Sequence, residues 1–241
     1  MTDVPAPTDF VHYGGTVFRL VEAQHRISTS RLTDSLAEEE RLEAIIEGAK
    51  PPLPDAAKEL HYLLATPFRY GHRSESRFRK AGERPGIFYA SESRKTCLAE
   101  MAYWRLRFFA AAPEARLPGT TTEYLMFGIG LEVERALDLT RQPFAKRRAK
   151  WKDKHSYLAC QRFAQMSRAI AAQLVRYESA RDADGGVNVA LFDPDCFTAP
   201  VPTSAGTWHF RFQNQRLVAI GASPSLERHE FSFDQFWLEQ R

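Results

Sequence analysis

The sequence predicts one domain that mixes α and β structure, and three observations carry that expectation. The chain has 241 residues, 44% hydrophobic and 26% charged, which suits one large α/β or α+β core or two small ones. Short apolar runs of strand character are interspersed with segments whose apolar residues recur at helical spacing. No internal repeat, low-complexity tract or long linker divides the chain, so one domain is the economical reading.

Composition narrows the function classes. A net charge of +3 with a pI of about 8.8 allows an anionic ligand without arguing for nucleic acid. Cys97, Cys160 and Cys196 are odd in number and widely spaced, matching neither a disulfide framework nor a zinc motif, and are expected as buried thiols. The seven histidines are scattered without ligand spacing, so no metal site is expected. No apolar run reaches the ~18 residues that span a bilayer. The N-terminus, MTDVPAPTDF, is acidic and proline-bearing rather than a secretory signal. A cytoplasmic protein with no membrane partner is expected.

The elements follow in order. Residues 1–15 read as a poorly ordered lead-in, and Thr16–Val21 as a short strand with Arg19 opposite Phe18 and Leu20. Arg26–Arg31 is a basic, Ser/Thr-rich loop. A helix is expected over Ala37–Gly48, started by Asp34 or Ser35, with Glu38–Glu40 in its first turn and Leu36, Leu42, Ile45 and Ile46 as its apolar face. After Pro51–Pro54, Asp55 is placed to cap a second helix over Ala56–Leu64. Residues 34–64 thus read as a helical pair, an insertion that covers a site or offers a surface to a partner. The stretch 66–80 is dense in arginine and aromatics. It reads either as a solvated basic loop or as an anion cradle, because guanidinium forks pair with phosphate; its position ahead of the next strand favours the cradle.

That strand is Gly86–Ser91, bounded by Pro85-Gly86. Ser91 or Ser93 can cap the helix that follows over Thr96–Phe109, where Leu98, Met101, Ala102 and Leu106 keep helical spacing. Glu100 then lies about a turn into a helix whose other face is apolar. Further on come a long strand over 121–133, a short extended piece at 138–139, and a basic run, Phe144–Asp153, read as an exposed face or a contact for an acidic partner. A helix is expected over Tyr157–Leu174, followed by extended 175–179, an Asp-Gly-Gly turn, strands at 187–192, 207–212 and 217–221, and a C-terminal extension over 222–241.

There is no GxGxxG, P-loop, HExxH or GxSxG pattern. What remains is a polar set without a dedicated nucleophile: the arginines at 69, 73 and 77, with Tyr89, Glu100 and Ser179. Such a set suits cleavage of a glycosidic bond whose leaving group departs well, as nicotinamide does from the ribose of NAD. That reaction needs arginines for the pyrophosphate, an aromatic for ribose or ring, and one carboxylate beside the developing cation. Each member has a plainer alternative: a half-buried strand tyrosine, a helix-surface acid paired with Arg94 or Arg105, a turn serine.

Two separated motifs resemble the RES-domain family, the toxin half of bacterial Xre-RES toxin–antitoxin pairs. The first stands as Ser76-Arg77-Phe78, then Gly86-Ile87-Phe88-Tyr89-Ala90-Ser91, then Ala99-Glu100. The second stands as Gln161, Tyr177-Glu178-Ser179-Ala180-Arg181 and Gly186-Val187-Asn188-Val189-Ala190-Leu191-Phe192. The likeness covers residues 16–221, with 34–64 as an addition, Ser76 in place of the family's glycine, and a long interval from Arg77 to Tyr89. It implies an α+β fold related to ADP-ribosyltransferase toxins: one domain with a split, twisted, mainly antiparallel sheet and flanking helices. It further implies NAD as substrate rather than cofactor, cleaved by glycohydrolysis or phosphorolysis, with inorganic phosphate or a protein as other acceptors. An Xre-type helix-turn-helix antitoxin is the implied partner, without direct nucleic-acid contact. By motif match, Arg77, Tyr89, Glu100 and Ser179 are the implied catalytic residues; Arg19, Arg69, Ser91 and Asn188 are expected to bind the substrate. A non-catalytic nucleotide- or nucleic-acid-binding module is the alternative from another class.

Overall fold

The computed structural model describes residues 4–23, 32–112, 114 and 116–238; the basic loop expected over Arg26–Arg31 lies outside them. Among the described residues there are eight strands: β1 (Val11–Glu22), β2 (Phe88–Ser91), β3 (Thr122–Asp138), β4 (Leu174–Glu178), β5 (Val187–Leu191), β6 (Ser204–Gln213), β7 (Arg216–Gly221) and β8 (Arg228–Phe231). Five α-helices accompany them: α1 (Leu36–Ala49), α2 (Tyr62–Arg69), α3 (Arg94–Ala110), α4 (Arg148–Trp151) and α5 (Leu158–Ala169).

The long strand β3 organises the sheet. Along one edge it pairs antiparallel with β1, from Val11↔Ala136 to Glu22↔Tyr124. Its other edge is divided. β6 runs antiparallel against Thr122–Gly128, whereas β4 runs parallel against Ala136–Asp138. Between them the edge carries the lone bridge Leu131↔Phe197. That division is the split of an α+β sheet in which every named pairing except β3–β4 is antiparallel. One half continues through β5 to β2, which returns to β1 at Phe18↔Ser91, so the sheet curls around on itself. The other half extends through β7 and β8.

Side chains alternate across β3 as a pleated strand requires. Tyr124 and Met126 face the core beneath α3, with Leu98, Ala102 and Leu106. Phe127, Ile129, Leu131 and Val133 face a second core, with Leu64 and Phe68 of α2 and Phe88 of β2. A third core joins α5 to the sheet through Phe163, Trp151, Val175 and Tyr177. Gly86 sits where α2 and the approach to β2 touch: a Cβ there would lie 1.9 Å from the Pro67 carbonyl oxygen.

Several boundaries differ from the sequence-based expectation. Residues 11–15 are not a lead-in but the first part of β1, because β3 supplies a ladder partner even for Gly14 and Gly15. The extended piece at Asp138 is the end of β3 itself. The second helix starts at Tyr62, not Ala56, with the His61 ring accepting from the Leu63 N–H and Asp55–Ala57 forming only one 3-10 turn. It runs through Pro67, whose helix-breaking tendency is overridden by burial of Leu64, Ala65 and Phe68. α5 stops at Ala169, since Ala171 turns left-handed at φ 59° and Arg135 Nε takes its carbonyl; Leu174 belongs to β4. Within the expected C-terminal extension, β8 pairs with β7, and Phe231, Phe233 and Phe236 are buried against α3. α1 buries none of its apolar residues and is tied down by Arg69, which donates to Glu47 and to the Pro51 carbonyl. No helix among the described residues is long and apolar enough to cross a membrane, and all three cysteines are free and buried.

Candidate functional site

A cavity of about 270 Å³ opens between β1, β2, α3 and the β4–β5 pair. Its floor is a polar relay ending on one carboxylate. Ser93 accepts the Thr96 N–H and so starts α3. Burial of Leu98, Ala102 and Leu106 then fixes the helix rotation that brings Glu100 to the cavity wall. Glu100 Oε1 accepts two hydrogen bonds of 2.6 Å, one from Ser179 Oγ and one from Asn188 Nδ2. Asn188 Oδ1 in turn accepts from Ser91 Oγ at 2.7 Å. The Ser179 oxygen accepts the N–H groups of Arg181 and Asp182, each at 3.0 Å. With its lone pairs engaged, the Ser179 hydroxyl proton is committed to Glu100. Among the described residues Oε2 has no hydrogen-bond donor.

Cations and aromatics make the walls. Arg77 is 9% exposed; its Nη1 donates to the carbonyls of Trp151 (2.6 Å) and Asp153 (3.0 Å), and its guanidinium lies 5.1 Å over the Tyr157 ring. The Tyr89 hydroxyl accepts the Phe78 N–H at 3.1 Å and meets Ser76 Oγ at 2.9 Å, clasping the turn that carries Arg77. Burial pushes the Tyr89 phenol up to about 12, so it stays protonated at neutral pH. Arg19 Nη1 donates to the Tyr89 carbonyl at 2.9 Å, and its guanidinium lies 5.1 Å over the Phe88 ring. Among the described residues its buried Nε has no hydrogen-bond partner, and burial lowers its pKa to about 10, still charged at pH 7.

Seven of the eight site residues expected from sequence therefore gather here. Arg19, Arg77, Tyr89, Ser91, Glu100 and Asn188 line the cavity. Ser179 is fully buried behind it, orienting Glu100 rather than facing a ligand. Arg69 is the exception: it stays off the cavity lining and donates to Glu47 of α1 and to the Pro51 carbonyl just after it. The expected anion cradle over 66–80 is likewise corrected. Arg73 is exposed away from the cavity, and Arg79 turns inward to the carbonyls of His72, Ser74 and Lys80. A basic loop whose own carbonyls need donors folds its arginines onto itself. Nor is Glu100 a surface acid: Arg94 pairs with Glu227, and Arg105 donates to Thr122.

Tyr177, Arg181, Tyr157 and Trp104 were not among the expected site residues, yet all four line the cavity. Tyr177 and Arg181 flank Ser179 at two residues on either side, a spacing visible in the second motif. Glu178, between Tyr177 and Ser179, points the other way and pairs with Arg148 and Lys152. Its hydrogen bond from Arg148 holds its carboxyl below the usual carboxylate range, with Lys152 adding to this. The tie is therefore fully present above the ordinary value of 4.5 and is lost as pH falls below it. An acid titration of folding should show a low-pH loss of stability that is smaller in Glu178→Gln; identical acid limbs would contradict the assignment. Among the described residues no group of three or more His, Cys, Asp or Glu side chains is placed to hold a metal.

A carboxylate held by neutral donors, with three guanidinium groups and several aromatic rings around one cavity, has the features of a small-molecule cleft. The RES domain family matches residues 52–213, and the chain belongs to that family. The match begins after α1 and so leaves out β1, although Phe18, Arg19 and Leu20 of that strand line the cavity. No curated protein matches the sequence. Among solved structures the chain is similar to one in the crystal structure of the M. tuberculosis MbcT–MbcA toxin–antitoxin complex, with a TM-score of 0.46 and 14% identity over 96% of this chain and 91% of that one.

Proposed function

We propose that this RES-domain protein is a toxin that degrades NAD by breaking the bond between nicotinamide and ribose, and that a cognate antitoxin neutralises it. The observation that carries the reading is the Glu100 carboxylate, fixed by Ser179 and Asn188 inside a cavity with guanidinium and aromatic walls, where burial keeps the one lining thiol, Cys97, protonated. The C1′–N bond breaks with its electron pair leaving on nicotinamide as a neutral base, and an oxygen of the acceptor bonds to C1′. With water as acceptor one proton is released to solvent; with phosphate the product is ADP-ribose 1″-phosphate. Glu100 stabilises the oxocarbenium character at C1′ or holds a ribose hydroxyl through its free Oε2, a role that needs neither metal nor cofactor. The rings of Tyr89 and Tyr177 confine the nicotinamide riboside end. The volume lies below the roughly 300–1,000 Å³ of sites that enclose whole drug-sized ligands, so the remainder of a dinucleotide would extend through the mouth. The family resemblance supports an Xre-type helix-turn-helix antitoxin covering that mouth.

The deciding experiment is a time course of NAD with the purified protein, with and without inorganic phosphate, the products resolved by mass. Nicotinamide plus ADP-ribose identifies a glycohydrolase, and a phosphorylated ADP-ribose formed only with phosphate identifies a phosphorylase. Release of nicotinamide from NAD only when a protein acceptor is added identifies an ADP-ribosyltransferase. NAD left intact in every tube overturns the reading in favour of a binding module.

A further inference from the structure

The three arginines lining the cavity differ in how many donors they have left. Arg19 and Arg77 are held by backbone carbonyls, one for the former and two for the latter. Arg181 gives up almost nothing. It is 6% exposed, its guanidinium lies 3.7 Å over the Tyr103 ring, and among the described residues its side chain makes a single hydrogen bond, a long 3.4 Å contact from Nη2 to the Tyr157 hydroxyl. Stacking on an aromatic face holds a guanidinium while leaving its in-plane N–H groups available. Lys154 is treated alike: its ammonium sits over the Trp237 ring, and it forms no ion pair among the described residues. Both beds belong to one structure, since Tyr103 packs edge-on against Phe236, next to Trp237. Burial pulls the Lys154 ammonium below its usual range, and the positive charges of Arg181 and Lys152 add to that, so the cations crowd one another. Neither Arg181 nor Lys154 has a carboxylate partner among the described residues, although the segment holding Arg181 is rigidly fixed by Ser179.

We infer that Arg181, which lines the cavity, and Lys154 form a phosphoryl-anion subsite. The inference rests on the reading of the cavity as a dinucleotide site and gives it a polarity: ribose at Glu100, anion at Arg181. It also reassigns the phosphate contact expected of Arg77, whose Nη1 is held by the 151–153 backbone. The anion is either the diphosphate of the substrate or inorganic phosphate acting as acceptor, which share the same chemistry of recognition.

The test is isothermal titration of the full chain with ADP-ribose and, separately, with inorganic phosphate, for wild type, Arg181→Gln, Arg181→Lys and Lys154→Gln. Loss of one charge-assisted contact is expected to weaken binding by about 10- to 100-fold for Arg181→Gln, by less for Lys154→Gln, with partial recovery in Arg181→Lys. A loss confined to ADP-ribose places the substrate diphosphate there, and a loss confined to phosphate places the acceptor. Unchanged affinity for both probes in both neutral variants overturns the subsite. Should Arg181→Gln fail to fold, unchanged affinity in Lys154→Gln does so alone. Wild-type protein that binds ADP-ribose but leaves NAD intact keeps the subsite and removes the cleavage reading, whereas NAD turnover with no measurable affinity for either probe does the reverse.

Discussion

Glu100→Gln is expected to slow NAD loss by about 10²–10³ while leaving the protein folded. Gln preserves the shape of the side chain and a carbonyl oxygen that can accept from Ser179 and Asn188, so the relay has the same partners. What disappears is the negative charge beside the forming cation. Fixed groups aimed at developing charge are worth about 10²–10³ in rate, and a loss of that size should appear in kcat with little change in melting temperature. Full activity in a folded Glu100→Gln protein would remove the carboxylate from the chemistry and leave Glu100 as a structural acceptor for Asn188. Ser179 is the instructive companion, because it acts through Glu100 and also anchors the N–H groups of Arg181 and Asp182.

Phe88→Ala is expected to give the largest loss of stability, about 3–5 kcal/mol for a buried aromatic truncated to alanine. Phe88 is fully buried, lies 6.5 Å from the Phe68 ring and 5.0 Å from the Phe197 ring, and forms the bed of the Arg19 guanidinium. Its removal leaves a void where α2, β2 and the segment after β5 meet, and loosens Arg19 at the cavity wall. Urea unfolding should show a lowered midpoint with an unchanged slope. A loss below about 1 kcal/mol would mean that the three elements collapse into the space, contrary to the close packing the aromatic rings show.

Much of the site's layout is legible in the linear sequence. Gly86–Ser91 reads as a strand because proline and glycine punctuate it and apolar residues fill it. The helix after Ser93 reads as one because Leu98, Ala102 and Leu106 share a face, and Glu100 then has to lie on the flank of that stripe. The motif carrying Ser179 and Asn188 was recognisable as well, and these residues converge on Glu100. Arginine roles were not legible. Arg69, Arg73, Arg77, Arg79 and Arg181 are alike in sequence, and what separates them is which carbonyl, carboxylate or ring lies within reach after folding. Arg69 meets Glu47 and Arg79 meets three carbonyls, while Arg181 meets a tyrosine face.

The extent of the domain shows the same division. Local spacing and punctuation determine that the chain is α+β, where β2 and α3 fall, and that one carboxylate stands between two polar motifs, because these depend on neighbours within a few residues. Only the tertiary structure decides that residues 11–15 pair with β3, that residues 228–236 close the core over Tyr103, and that Trp104 and Tyr157 line the cavity. A ladder partner or an aromatic bed comes from far along the chain, and no local pattern records which distant surface will bury it.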